Sequence, residues 1–316
     1  MAGITALGTT YNLPNYTGIL HQLTPADTPF FSSIGGLSGG GQTNSIEFEW
    51  QTFDLRAAAQ NTRLEGADAP AEEERVRANV TNIVQIHQET VGVSYTKLAA
   101  NQAKAGINNA ESNPVMNELD WQVEQMLKQM VRDVEFSFIQ GTYAKPADNT
   151  TARKTRGILA AITTNVIVNG TATALTEDMV LDLLQMVWDN GGIQESETAT
   201  LLCNSFQKRQ LTNIFITQKN YREEKRNVGG VSVQTIETDF GTLNIMLDRH
   251  MPAAQLAVVS LEQCKPVYQE IPGKGHFFAE PLAKVGAKEK TMLYGEIGLG
   301  YGNEKAHGKI TGLTTS

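Results

Sequence analysis

NPVMNELDWQVEQMLKQMVRDVEFSFIQG, residues Asn113–Gly141, carries the longest helical period in the chain. Met116, Leu119, Val123, Met126, Leu127, Met130, Val134 and Phe138 recur at spacings of three and four, which puts them on one side of a helix. Gln122, Gln125, Lys128, Gln129 and Arg132 occupy the remainder. Asn113 is placed to cap the first turn, Pro114 suits the first helical position, and Gly141 is placed to end the last. The pattern predicts one helix over 113–140 of about seven turns, where an average helix has about three. Each side chain buried from such a stripe contributes about 1.5–3 kcal/mol, so the helix can anchor a domain. Leu127→Asp is expected to be among the most damaging single changes.

Toward the N-terminus, Ile46–Leu55 alternates, with Ile46, Phe48 and Trp50 opposed by Glu47, Glu49 and Gln51, the pattern of a half-buried strand. A second alternating run covers Val80–Leu98. Its two faces separate imperfectly, so a bulge or a change of exposed face is expected in a strand this long. Between the runs lies AAAQNTRLEGADAPAEEERVRAN, broken by Gly66 and Pro70 and with no apolar stripe beside its charges, which reads as an exposed tip. Together the pieces predict a long two-stranded projection, marginally stable unless its faces meet another surface. Residues 1–41 read as an arm with prolines at Pro14, Pro25 and Pro29 and glycines at Gly35, Gly36 and Gly39–Gly41. Its apolar cluster, Phe30, Phe31 and Ile34, is either a helical turn tucked on its own domain or an anchor beneath a neighbouring subunit.

Toward the C-terminus, Ile158–Ile162 is a strand or a helical turn. Thr176 is set to cap a second helix, with Leu175 and Val180 spaced for a hydrophobic staple, Glu177 and Asp178 in the first turn, and Gly191 and Gly192 as stop signals. Thr200–Cys203 reads as a buried strand, and Asn204 can cap a third helix carrying Phe206, Leu211, Ile214 and Phe215. Val231–Ile236, Leu243–Leu247 and Leu256–Val259 are further strands, with Asp239–Gly241 turning between the first two. Strands are also expected at Glu280–Val285, Thr291–Tyr301 and Lys309–Leu313.

Of the 316 residues, 41% are hydrophobic and 19% charged. That charge lies below the roughly 25% of average soluble domains, so much of the polar surface is uncharged and cheap to dry against a partner. A net charge of -8 argues against a chain that broadly wraps nucleic acid. Cys203 and Cys264 show neither a disulfide scaffold nor a metal-binding spacing, and reduced, mostly buried thiols in a cytoplasmic product are expected. No stretch has the length of a membrane span, and MAGITALGTTYNLPNYTG does not read as a secretion signal.

Motifs of catalysis are missing from the text of the sequence. The five histidines are scattered, without the paired spacing of a zinc or iron site. Ser38–Thr43, SGGGQT, lacks the lysine of a phosphate loop and reads as a hinge, while Pro272–Gly275, PGKG, reads as a basic loop. Asp239–Gly241 matches a kinase metal-binding triplet without any of its companion motifs, and no Gly-x-Ser-x-Gly elbow exists. The basic residues from Lys208 to Arg226 are interrupted by Glu223 and Glu224; an exposed helix end or loop, a nucleic-acid contact and a subunit contact all remain open. No catalytic, cofactor-binding or metal-binding residue is expected, and no cofactor.

In order and spacing these pieces resemble the major capsid proteins of tailed bacteriophages, within a subfamily of about this length that includes a podovirus major capsid group. The stretches that carry the resemblance are Leu23–Gly35 (LTPADTPFFSSIG), Glu49–Leu55 (EWQTFDL), Leu64–Ala69 (LEGADA), Arg132–Gly141 (RDVEFSFIQG), Thr151–Ile162 (TARKTRGILAAI), Trp188–Gly192 (WDNGG), Asp239–Arg249 (DFGTLNIMLDR), Glu280–Gly286 (EPLAKVG) and Gly302–Leu313 (GNEKAHGKITGL). They are spread along nearly the whole chain, from Leu23 to Leu313.

The resemblance implies an α+β capsid fold with an N-terminal arm over 1–45, an extended β-hairpin loop over 46–98, a peripheral domain over 99–174 holding the spine helix 113–140, an axial domain over 175–272, and C-terminal strands over 273–316 that return to the peripheral domain. It implies self-assembly as hexamers and pentamers into an icosahedral shell, formed in the host cytoplasm and enclosing double-stranded DNA without sequence-specific binding. A separate scaffold protein, a portal protein and a decoration protein are the partners it brings, and no membrane. With no long helical extension before the arm, the scaffold is expected to be a separate protein, the shell to close without covalent crosslinks, and no segment to be removed by a maturation protease. Phe30, Phe31, Ile34, Phe48, Trp50, Arg63 and Glu65 are the expected inter-subunit contacts. An encapsulin-like cargo compartment is the alternative on the same fold, and a soluble oligomeric enzyme is the alternative outside it.

Overall fold

In the computed structural model, which describes residues 22–99, 115, 117–194, 199–218, 223–228 and 231–315, the helix read from the 113–140 period runs over Glu118–Gln140. The expected cap Asn113 and Pro114 lie outside the described residues. Asn117 meets the first turn instead, its Oδ1 accepting from Leu119 N at 3.1 Å. In chain order the elements are α1 (Pro29–Ser33), β1 (Gly41–Thr43), β2 (Glu47–Phe53), β3 (Arg77–Ile83), β4 (Gln85–Ser94), α2 (Tyr95–Ala99), α3 (Glu118–Gln140), α4 (Ile158–Ala161), β5 (Val166–Thr173), α5 (Glu177–Asp189), β6 (Ala199–Cys203) and α6 (Ser205–Leu211), which continues as a π-helical turn, Thr212–Gln218. Then follow β7 (Glu223–Val228), β8 (Val231–Thr238), β9 (Gly241–Leu247), β10 (Leu256–Ser260), β11 (Lys265–Gln269), β12 (Phe277–Pro281), β13 (Lys288–Gly300) and β14 (Gly308–Leu313).

Local chemistry explains several of these boundaries. Thr176 caps α5, accepting from Met179 N at 3.3 Å, and Leu175 and Val180 are both buried. Asn204 caps α6 through Gln207 N at 2.9 Å. Gly241, at φ 102, turns β8 into β9, and Thr238 faces it across the ladder.

The described residues form three sheets, and the fold is α+β with mixed sheets. The largest has the order β5-β14-β10-β6-β9-β8-β7, parallel where β14 meets β5 and β6 meets β9. A second has the order β1-β11-β13-β12, with β4 also on β13. β2 and β3 form a two-stranded sheet of their own. The run expected as one strand over Val80–Leu98 is therefore two. Val84 N donates to Ile46 O at 2.9 Å where β3 ends, and β4 pairs with β13 instead of β2. The strand expected at Glu280–Val285 starts earlier and stops at Pro281, leaving Val285 exposed. The last strands divide between sheets, β12 and β13 joining β11 while β14 lies between β5 and β10.

The chain forms two units. One consists of Thr28–His87, Val131–Phe277 and Gly295–Ser316, the other of the described residues of Met1–Asp27, Gln88–Met130 and Phe278–Tyr294. Within the second, Val91, Val93, Met130 and Leu293 are buried and the rings of Phe278 and Tyr294 lie 5.7 Å apart. The first holds two apolar cores. One gathers Phe30, Phe31, Val134, Phe138, Ile158 and Tyr301; the other packs Val180, Leu183 and Leu184 of α5 against Leu201, Ile245 and Val258 of the large sheet. Burial along α3 is uneven. Leu127 is only half-buried, whereas Val134 and Phe138 are fully enclosed, so the positions where a charge costs most are these two and not Leu127.

Candidate functional site

The β2–β3 hairpin is the segment whose chemistry the chain's own core does not satisfy. Its register runs from Glu47 opposite Ile83 to Phe53 opposite Arg77. Alternation sends Phe48, Trp50 and Asn82 toward one face. There Trp50 Nε1 donates to Gly302 O at 2.7 Å, its ring meets Tyr301 edge to face at 4.8 Å, and Phe48 stacks on it at 6.0 Å. Asn82 is wholly buried, donating from Nδ2 to Leu299 O at 2.7 Å and accepting Arg156 N at 2.9 Å. This end of the hairpin is fixed.

The far end is not. Between Phe53 and Arg77 every residue is exposed, including Leu55, Leu64 and Val76, which are 69%, 85% and 78% accessible. Arg63 and Glu65 lie on this tip beside the turn in which Ala67 N donates to Leu64 O at 3.1 Å. Arg56 and Arg75 both pair with Glu73, at 3.5 and 2.8 Å, and all three side chains stay largely in water, where such pairs are worth at most about 1 kcal/mol. A cleft of about 490 Å³ runs between the hairpin and the Gly302–Lys305 turn, lined by Trp50, Phe53, Val76 and Asn190. A second of about 770 Å³ lies between Ile46, Ile86 and the Lys145–Arg153 loop.

The sequence-predicted contact residues thus fall into three places. Arg63 and Glu65 stand on the exposed tip, and Phe48 and Trp50 sit half-buried at the hairpin root. Phe30, Phe31 and Ile34 lie in a core of their own chain, at 0%, 1% and 7% exposure. Phe31 meets Phe138 edge to face at 5.7 Å. Of the two readings of that cluster, the groove that these side chains fill is intramolecular.

Two buried groups in that region escaped the sequence reading. Glu135 of α3 accepts from Phe30 N at 2.8 Å through Oε1 and from Phe31 N at 2.6 Å through Oε2. Asp248, just after β9, accepts from His250 N at 2.7 Å. The signal was available for Glu135, because it stands four residues after Val131 and three before Phe138 on the apolar side of the helix. Both cysteines are buried and unpaired, and burial pushes the Cys203 thiol up to about 12. Among the described residues no group of three or more His, Cys, Asp or Glu could hold a metal ion, and no helix is long and apolar enough to cross a membrane.

The fold has well-matched counterparts. The capsid asymmetric unit of Cyanophage A-1(L) superposes with a TM-score of 0.66 at 12% identity, over 98% of this chain and 100% of the other. The holo-SrpI encapsulin complex from Synechococcus elongatus PCC 7942 does so with a TM-score of 0.62 at 12% identity, over 100% and 98%. Mycobacterium phage Cain gives 0.60 at 10% identity, over 98% of both chains. No curated protein matches the chain by sequence. These likenesses place the chain in a capsid-type fold. The chain belongs to the SU10 major capsid protein family, whose model matches residues 3–314.

Proposed function

We propose that this protein is the major capsid subunit of a tailed bacteriophage, assembling as hexamers and pentamers into the icosahedral shell that encloses double-stranded DNA. The observation that carries the reading beyond the family is the hairpin, whose root is locked by Trp50 and Asn82 while Leu55, Leu64 and Val76 stand in water. Three such side chains on one tip are costly unless a neighbouring copy covers them. Identical chains whose tips seat on neighbours make heterologous contacts, which close only at specific symmetry.

On this reading 1–45 is the arm, 46–98 the extended loop with Arg63 and Glu65 at the inter-subunit contact, 99–174 the peripheral domain, 175–272 the axial domain, and 273–316 the returning strands. Assembly takes place in the host cytoplasm with a separate scaffold, a portal receives the DNA, and a decoration protein is a further candidate partner. The net charge of -8 favours a lining that holds DNA weakly and without sequence preference. The experiment is to purify particles after expression with the neighbouring genes and image them. Closed shells with one portal vertex support the reading, and a chain that stays monomeric or turns over a substrate sinks it.

The second reading is a cargo compartment, favoured by the full-length match to the encapsulin complex. Particles that retain a co-expressed enzyme through its terminal tail, with no portal, would carry that reading instead.

A further inference from the structure

We propose that Glu135 and Asp248 share one proton and so form a latch that holds Thr28–Ile34 on the core and releases it when that proton is lost. The geometry starts with what each carboxyl touches. Both oxygens of Glu135 accept backbone N–H groups from the first turn of α1. The helix has no side-chain cap of its own, since Thr28 makes no such bond. Glu135 is therefore its cap, supplied from a helix over a hundred residues away in sequence.

Asp248 stands within side-chain hydrogen-bond reach of the same carboxyl. Its Oδ1 takes the His250 N–H, while Oδ2 is buried with no donor turned toward it. Glu135 is 0% exposed and Asp248 1%. Two buried acceptors that confront each other repel unless a proton lies between them, and a proton turns the contact into a hydrogen bond. Burial, followed by the hydrogen bond and charge of Asp248, pushes the Glu135 carboxyl well up from its ordinary range, against the opposing pull of the two N–H groups. Among the described residues, Cys203 of β6 feels the charge of Asp248 and that of Lys208 of α6. His250 gives Asp248 only its backbone, its ring lying edge-on to Phe136 at 6.1 Å. α1 itself carries no charge.

The docked state holds one proton more than the released state, in which Glu135 is wetted and ionises freely. Raising the pH therefore favours release, by about tenfold in the opening constant for each pH unit. The latch is independent of what the assembled chain encloses.

Hydrogen exchange of the full-length subunit, read by mass spectrometry on peptides over 28–34 and over α5, tests it. After correction for the intrinsic base-catalysed rate, protection of the Phe30 and Phe31 amides is expected to fall about tenfold per pH unit from pH ~6 to pH ~9, with α5 unchanged. Asp248→Asn keeps an acceptor for His250 N and offers Glu135 an amide hydrogen in place of the proton; burial still raises the Glu135 carboxyl, so the fall in protection is expected to level off at a lower pH than in the unaltered protein. A level profile in the unaltered protein overturns the latch. So does an equal fall in Asp248→Asn, or a parallel fall in α5, which would mean global unfolding.

Discussion

Trp50 and Gly302 are 252 residues apart in the chain and joined by one hydrogen bond of 2.7 Å, from the indole N–H to the backbone carbonyl. Gly302 can present that carbonyl because it sits at φ 60, and a Cβ there would come within 2.9 Å of the Gln263 side chain. The contact fixes the hairpin to the turn after β13. Trp50→Phe keeps the edge-to-face contact with Tyr301 and loses the bond, so it should cost about 1 kcal/mol. Trp50→Ala loses both and should approach about 3 kcal/mol. Denaturant midpoints of the unassembled subunit measure each, and equal losses would show that the bond contributes nothing beyond packing.

Phe30 and Phe31 provide a second test, because an anchor on a neighbour and a core of the same chain make opposite demands. Both rings are essentially inaccessible and Phe31 lies against Phe138. Replacing both by Ser should lower the stability of the isolated subunit by at least about 5 kcal/mol, in proportion to what truncating a buried aromatic costs. An unchanged melting temperature with assembly lost would return the cluster to the inter-subunit role.

What could be read in advance was what neighbours in sequence decide. The α3 stripe, the Thr176 and Asn204 caps and the Asp239–Gly241 turn depend on residues within a few positions, and they stand where the spacing puts them. Strands set by distant partners were harder. β5 contains Gly170 and alternates poorly, and it exists as a strand because it runs parallel to β14, well over a hundred residues on. The Val80–Leu98 run looked continuous because its alternation barely falters at Val84, while the change of partner from β2 to β13 leaves no local mark. At the candidate site, the exposed tip was legible from its charges and breakers. The depth of Phe30 and Phe31 was not, since it depends on Glu135 and on α4, elements that the arm's own sequence does not mention.

The pH dependence of stability carries two opposing terms. His87 is buried, with Nε2 meeting no partner, and desolvation lowers its pKa from 6.5 to about 4. Its folded form prefers to be neutral, so the stability it permits is complete above pH 6.5 and is lost as the pH falls toward 4, by about 1.4 kcal/mol per unit. Glu135 does the reverse. Its folded pKa is raised from 4.5, so its contribution is complete below that value and is lost as the pH rises. Between these ordinary values the slopes cancel. His87→Leu should therefore gain stability on acidification from pH 6.5 to 4.5 where the unaltered protein stays level, and denaturant titrations at the two pH values decide it.

The last prediction separates folding from assembly. Phe53 and Arg77 close the β2–β3 ladder, and nothing between them packs on the core, so 54–76 can be replaced by an Asn-Gly turn, which suits a two-residue hairpin. The root contacts of Trp50 and Asn82 remain, and among the described residues the ion pair lost to the rest of the chain is that of Asp54 with Lys305, 3.8 Å apart and exposed. The melting temperature of the unassembled subunit should hold or rise, because a long loop that must be closed is exchanged for a short one. Assembly should fail, because the exposed Leu55, Leu64 and Val76, with Arg63 and Glu65, are removed from the contact proposed with a neighbour. Sedimentation and electron microscopy of the variant beside the unaltered chain read both properties. Closed shells from the shortened chain would show that the tip is not the contact, and a large loss of melting temperature would show that it belongs to the core.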